Sequence, residues 1–502
     1  MKRNYLVVIT ILLFTYQQTI AQTYHEQYRP QIHFSPKAHW MNDPNGMVYY
    51  NGIYHLFFQY YPNASVWGPM HWGHAISPDL IHWKQQPIAL YPDSIGYIFS
   101  GSVVVDKNNT SGLGINGKPA LVAIFTQHDT AGEHAHTNTY QNQSIAYSND
   151  EGKTWTKYNA NPVLKNPGIT DFRDPKVMWY DEGNKWIMTL AVKDHIAFYS
   201  SPDLKTWTEE SQFGKDVGAH GGVWECPDLI SFDDNGKKVW ALIVNINPGG
   251  PNGGSATQYF LGDFDGKIFK PFTTDKKWID YGPDEYAGVT YSNTDNRKIF
   301  LGWMSNWSYA QLVPTEVWRS AMTLPRNLNL MHVGDDMFIA SKPVVELNSV
   351  AGKQQVINAI AVNPQFDLSQ QISNLQLPCR LEFNAEAKSF SVNFSNDKNE
   401  LLVIGYDEVQ KHYYINRSQS GEVDFEKTFS EEHAAPRILN AKMIHLTIIA
   451  DVSSVELFAD DGLSVMTEIY FASKPFGQIQ LKSDSGMQVN NFIYTPYKSI
   501  WK

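Results

Sequence analysis

Short runs of β-branched and aromatic residues, separated by turn signals, cover most of the chain. MVYY and IYHLFFQY flank Asn51-Gly52, KVMWY and KWIMTLAV flank DEGN, and LISF and KKVWALIVNI flank DDNG. Each pair reads as an antiparallel hairpin, because such side chains suit a pleated, half-buried surface and Asn/Asp-Gly steps supply the positive φ of a tight turn. Two looser copies exist: SVVV with ALVAIF across a Gly/Asn-rich loop, and GVTYS with KIFLGWM. Helical periodicity is nearly absent after the N-terminus, so the pattern predicts an all-β protein.

Every hairpin follows a polar marker: Asp43-Pro44, Ser100-Gly101, Asp174-Pro175, Glu225-Cys226-Pro227 and Asp284-Glu285-Tyr286-Ala287, the last counted from Asp284. The markers recur at intervals of roughly 50–75 residues, which is the signature of a repeat architecture. Five units of four short strands predict a five-bladed β-propeller, whose radial repetition protects strand edges and brings the inner strands to a central channel. The marker of each unit is then expected at the channel mouth. Asp-Pro-Asn-Gly reads as a rigid turn that aims Asp43, since proline fixes φ and lacks an N–H. A second echo, in SPDLIHW, SNDEGKTW and SPDLKTW, reads as tight blade corners plugged by tryptophan.

Residues 22–338 are expected to form the propeller, and 339–354 to cross to a second module. From 355 to 502, segments such as RLEFNAE, SFSVNFS, HLTIIAD and VELFAD predict a β-sandwich. Residues 1–21 carry Lys2, Arg3, an apolar stretch and Thr19-Ile20-Ala21, the pattern of a secretory signal cleaved after Ala21. The apolar stretch is too short for a convincing membrane span, so an exported protein without membrane insertion is expected.

The chain has 502 residues, 14% of them aromatic, enough for a large buried core. Its formal net charge is −11, which disfavours nucleic acid and anionic surfaces and points to a neutral substrate. Only Cys226 and Cys379 occur, so no disulfide framework exists, and Cys226 reads as a buried small side chain rather than a nucleophile. Neither CxxC nor HExxH is present and no glycine-rich phosphate cradle opens a helix; no metal, cofactor or nucleotide is expected. Oligomeric state is not readable.

Three carboxylates at one channel mouth, a neutral substrate and abundant aromatic side chains suit glycoside hydrolysis. That reaction needs one carboxylic acid to protonate the leaving oxygen and one carboxylate to attack or stabilise an oxocarbenium-like centre. Asp43, Asp174 and Glu225 are the candidates. A nucleophile must be ionised, so hydrogen bonds from the turn's backbone are expected around Asp43, whereas an acid suits apolar neighbours such as Trp224 and Cys226 around Glu225.

WMNDPNG (40–46), FFQYYP (57–62), FSGS (99–102), FRDP (172–175), WECPD (224–228), GWMSNW (302–307) and WRSAMTLP (318–325) resemble, in order, the motifs of glycoside hydrolase family 32, the β-fructosidases. The C-terminal HLTIIADVSSVELFADDGLSVMTEIYF resembles the family's accessory β-sandwich. The resemblance implies that Asp43 is the nucleophile, Glu225 the acid/base and Asp174 the transition-state stabiliser. It implies that Asn42, Gln59, Trp67, Phe99, Ser100, Arg173 and Trp303 bind fructose. The implied activity is retaining hydrolysis of levan, inulin or sucrose, expected to be exo-acting because a mouth pocket admits a chain end. An endo-acting fructanase, transfer to another sugar and a non-catalytic fructan-binding propeller stay open as alternatives.

Overall fold

The computed structural model describes residues 24–501; the expected signal at 1–21 lies outside them. Strands from His39 to Pro343 make five sheets arranged as propeller blades. Their innermost strands are His39–Tyr50, Tyr97–Val105, Phe172–Tyr180, Val223–Asp234 and Tyr286–Thr290 for blades I to V. Each pairs antiparallel with the strand that follows it. The ring closes where Ser292, just past the inner strand of blade V, exchanges backbone hydrogen bonds with Met47 and Tyr49 of blade I.

Blades are apolar on both faces, and the core therefore lies between them. Phe57, Trp72, Val103 and Phe125 fill the junction of blades I and II, and Val122, Ile124, Val177 and Met188 that of II and III. Trp224, Leu242 and Phe260 pack against Ile187 and Phe198 between III and IV, while Ile243, Phe300 and Leu328 join IV to V. Trp40, Tyr286 and Trp303 close the circle between V and I. The expected corners are present in blades I to III: Asp79, Asp150 and Asp203 each accept a serine hydroxyl and later backbone N–H groups, satisfying donors that the turn leaves free.

Gln355–Val362 begins the second module, two six-stranded antiparallel sheets around one apolar core. Strand Cys379–Glu386 alternates buried and part-exposed positions, as a sheet with one covered face requires. The module docks on the propeller through charged groups. Fully buried Arg326 reaches Asp280 at 2.8 Å and Glu456 at 2.5 Å, and His33 bridges Asp451 and Glu456 at 2.7 and 2.9 Å. Burial lowers the His33 imidazole, but its hydrogen bonds to these two carboxylates outweigh that effect and push it up to about 9.

Two sequence expectations change here. Asp43 does not sit in a turn before a strand but inside the inner strand, at a bulge between Met41 and Pro44 where the pairing register shifts. The proline's missing N–H falls where the ladder is already interrupted, so it costs no hydrogen bond. The marker of the fifth unit also faces away from the channel mouth. Asp284 is buried against the sandwich, accepting from Tyr309, Arg417 and the Ile469 N–H, and Tyr286 takes its place at the mouth.

Glu285, beside it, is fully buried with neither carboxyl oxygen hydrogen-bonded. Burial and the Asp280 carboxylate push it up to about 8, against the pull of Arg326. A raised carboxyl pKa means that the unfolded chain releases the proton first, so folding stability falls as pH rises from 4.5 toward 8. The expected result for Glu285→Gln is a stability advantage that grows across that window to about 2 kcal/mol or more and then levels off. Thermal melts at pH 5, 7 and 9 test it, and an advantage that shrinks with pH would contradict the assignment.

Candidate active site

One device repeated in every blade builds the site. The inner strands carry register shifts between Met41 and Pro44, Ile98 and Gly101, Glu225 and Asp228, and Tyr286 and Val289, and opposite Ala191 and Thr189 in blade III. A bulge leaves its extra residues unpaired and re-aims their side chains. Asp174 and Cys226, at their bulges, adopt φ of 64° and 42°, the left-handed region that L-residues seldom occupy. Asp174 is held there by its N–H donating to Thr126 Oγ1 at 2.9 Å and by the Cys226 N–H donating to its Oδ2 at 3.0 Å.

The three carboxylates meet at a cavity of about 250 Å³. Asp43 accepts from Asn42 Nδ2 at 2.9 Å and from Ser100 Oγ at 2.6 Å, and Trp40 fixes Asn42 through a 2.7 Å bond from its indole. The Cys226 thiol lies 3.6 Å from a carboxyl oxygen of both Asp43 and Asp174. Glu225 Oε1 accepts from Arg173 Nε and Nη2 at 3.1 and 2.8 Å, and its Oε2 accepts from the Tyr286 hydroxyl. Arg173 Nη1 also donates to Asp171 at 2.5 Å.

Three acids, Asp171, Asp174 and Glu225, thus surround one guanidinium, and the electrostatics follow. Burial, reinforced by the Glu225 carboxylate, raises Asp43 above the ordinary carboxylate range despite its donors. Burial pushes Asp174 up to about 7; Arg173 pulls it down, and Glu225 and Asp43 push it further up. Burial works against the Arg173 cation, but Glu225, Asp174 and Asp171 hold its pKa well above the usual value. The Cys226 thiol is driven well up by burial and the surrounding acids, which keeps it protonated and unsuited to attack. Among the described residues no group of His, Cys, Asp and Glu has the arrangement of a metal site.

A family model for the glycosyl hydrolases family 32 N-terminal domain matches residues 33–343, and the family's C-terminal model matches 346–496. The chain belongs to glycosyl hydrolase family 32. This hydrolase is 45% identical to the levanase of Bacillus subtilis (strain 168), over 99% of the chain and 75% of that relative. It is 38% identical to an extracellular exo-inulinase of Aspergillus awamori, over 93% of the chain and 94% of the relative. The crystal structure of the Aspergillus awamori exo-inulinase matches with a TM-score of 0.87 at 35% identity, covering 95% of this chain and all of that one. A β-fructofuranosidase from Schwanniomyces occidentalis, complexed with fructosyl-erythritol, matches at 0.84 and 32% identity, covering 94% of this chain and 98% of that one.

In the family 32 fold of this chain, Asn42, Asp43, Gln59, Trp67, Phe99, Ser100, Arg173, Asp174 and Glu225 all line the cavity. Gln59 donates to Asn45 Oδ1 at 2.6 Å, and Trp67 stands at the rim, edge-on to Phe99. Trp303 does not line it. It is fully buried beneath Trp307, ring centroids 4.9 Å apart, because its strand must fill the junction between blades V and I, and Trp307 supplies the wall. The surroundings of the two carboxylates also differ from expectation. Asp43 takes its donors from neighbouring side chains rather than the turn backbone, and Glu225 faces a guanidinium and a phenol rather than apolar groups.

Sequence reasoning missed His128, Glu133, Tyr140, Gln141 and Asp171, which complete the wall. The first four come from the end of one strand, the short helix Thr130–His134, and Tyr140 and Gln141 where the chain enters the next strand, a region to which no inner-strand marker points. Asp171 had a signal: an acid two residues before Arg173, at the bend that precedes the strand, where it adopts φ of 53°.

Proposed function

We propose that this family 32 hydrolase cleaves terminal β-fructosidic bonds of levan, inulin or sucrose with retention, releasing fructose. The observation that carries the reading is the convergence of Asp43, Asp174 and Glu225, from three different blades, on a closed-ended cavity of about 250 Å³. That volume suits one sugar unit more than a chain passing through, which favours exo action. The similarity to a levanase and an exo-inulinase supports the substrate class.

In the proposed cycle Asp43 attacks the anomeric carbon as the bond to the leaving oxygen breaks, and Glu225 gives that oxygen its proton. A covalent fructosyl-enzyme results. Water then attacks the same carbon, Glu225 takes the water's proton, and Asp43 departs as carboxylate. Asp174 accepts hydrogen bonds from fructose hydroxyls, with Asn42, Gln59, Trp67, Phe99, Ser100 and Arg173 binding the ring, and Trp307 is the wall residue to add. The proton on Glu225 belongs on Oε2. Arg173 offers only donors to Oε1, whereas the Tyr286 hydroxyl donates to a carboxylate or accepts from a carboxylic acid.

Tyr286→Phe is therefore expected to lower kcat by about tenfold, since Glu225 loses the hydroxyl that positions Oε2. An unchanged kcat would remove Tyr286 from the cycle. The overall reading is tested by product analysis on levan and inulin. Fructose alone from the first time point is expected, and early oligosaccharides would establish endo cleavage instead.

Export through residues 1–21 belongs to the same proposal, supported by the extracellular exo-inulinase among the relatives. So does the division into a catalytic unit and an accessory unit, with the expected boundary of 338 moved to Pro343, because strand Asp336–Pro343 pairs along its length within blade V.

A further inference from the structure

The channel has a second, larger mouth. Two residues past the bulges, on the same inner strands, Lys176 and Asp228 form a 3.2 Å ion pair across it. Asp228 Oδ2 also accepts from the Thr290 N–H and hydroxyl at 2.6 and 2.7 Å, and Lys176 donates to the Thr290 carbonyl. This plug separates the catalytic cavity from another of about 500 Å³ at the far ends of the inner strands of blades II to V. Nothing in the catalytic proposal uses that space.

Its walls have the composition of a sugar site. Trp179 is partly exposed and braced edge-on by Trp186 at 5.0 Å, an aromatic surface fixed by packing. Lys298 lines the same space with no ion-pair or hydrogen-bond partner for its ammonium among the described residues, and burial lowers it below the usual lysine range. That ammonium, not committed to any protein group, is available to donate to a ligand oxygen in this space. The lining charges are close to balance, with no cluster of free cations that would select an anion: Glu182, Asp228 and Glu346 pair with Lys238, Lys176 and Arg297, and Asp181 and Asp295 offset Lys107 and Lys298.

We infer that this far mouth binds a neutral, hydroxyl-rich chain, an oligosaccharide stretch stacked on Trp179 and hydrogen-bonded by Lys298. Twice the volume of the catalytic cavity accommodates more than one sugar unit. The site then holds polymer that the catalytic mouth does not reach, which keeps the enzyme on an insoluble or dilute fructan.

The ligand class rests on the proposed substrate, whereas the existence of a second site does not. Calorimetric titration of the full-length Asp43→Asn variant with a fructo-oligosaccharide is expected to give two sites per chain. Adding Trp179→Ala reduces two to one, and so does Lys298→Met, which changes no aromatic packing and serves if the tryptophan variant misfolds. A single site in the parent, or two sites insensitive to both substitutions, overturns the inference. Competition by inorganic phosphate at the second site also overturns it, by making it an anion site. Turnover of sucrose by Asp43→Asn is the separate measurement that strikes at the catalytic reading and leaves the site count untouched.

Discussion

Asp43→Asn is expected to reduce kcat on sucrose by about 10^4-fold or more, with the melting curve and secondary structure retained. A nucleophile that forms a covalent intermediate has no partial substitute, and the asparagine amide is far too weak to attack an anomeric carbon. The fold tolerates the change: the new carboxamide oxygen still accepts from Ser100 or Asn42, and Asp43 makes no ion pair whose loss strands a cation. One charge fewer also relieves Asp174, which the Asp43 carboxylate pushes upward. The parent carries a related signature. Burial and Glu225 raise Asp43 above the ordinary carboxylate range, and attack needs the ionised form, so kcat/KM should fall with decreasing pH at a higher value than an unperturbed aspartate gives. Substantial turnover by Asp43→Asn would remove it from the nucleophile's role.

The period-two hairpins and the spacing of their markers made the blades legible in the sequence, and Asp43, Asp174 and Glu225 with them. What the spacing did not reveal was the device that aims these residues. A bulge depends on the pairing register between strands, and register is a property of two segments rather than one. That is why Asp43 reads as a turn residue although it lies within a strand. It is also why Asp284 looks like a fifth channel group although it contacts Arg417 of the sandwich. Trp303 and Trp307 lie four apart in one aromatic run, and only the packing of Trp303 against Trp40 and Tyr286 decides which of them reaches the cavity. The wall supplied by His128 to Gln141 was illegible for a different reason: it belongs to an insertion between strands, which follows no repeat.

Electrostatics ties the same geometry to the division of labour among the acids. With Asp171, Asp174 and Glu225 all near Arg173, the guanidinium offsets part of the repulsion, and burial and mutual charge keep Asp174 up to about 7. An acid in that position accepts or donates hydrogen bonds to sugar hydroxyls according to its protonation state, without having to take part in bond breaking. Glu225 differs because Arg173 and Tyr286 hold its two oxygens separately, which suits the proposed exchange of a proton with a leaving group at Oε2.

Glu225→Gln is expected to lower kcat/KM on sucrose by roughly 10^2–10^4-fold, the range that a positioned general acid contributes. The size of the loss should depend on the leaving group. An alkoxide such as the glucosyl oxygen of sucrose needs the proton, whereas an activated aryl fructoside departs without it. With the aryl substrate the fructosyl-enzyme should form at a nearly normal rate and then persist, because the glutamine has no base with which to activate water. Rapid-quench measurements should therefore find a burst of aryl product close to one equivalent, followed by slow turnover. A small anionic nucleophile such as azide, which needs no base, should restore that turnover. The geometry predicts the retained first step: the amide oxygen still accepts from Arg173, and the amide nitrogen faces a Tyr286 hydroxyl that accepts as well as donates. An equal loss on both substrates, with neither burst nor azide rescue, would mean that Glu225 only positions Arg173, and the acid/base would have to be sought in Asp174.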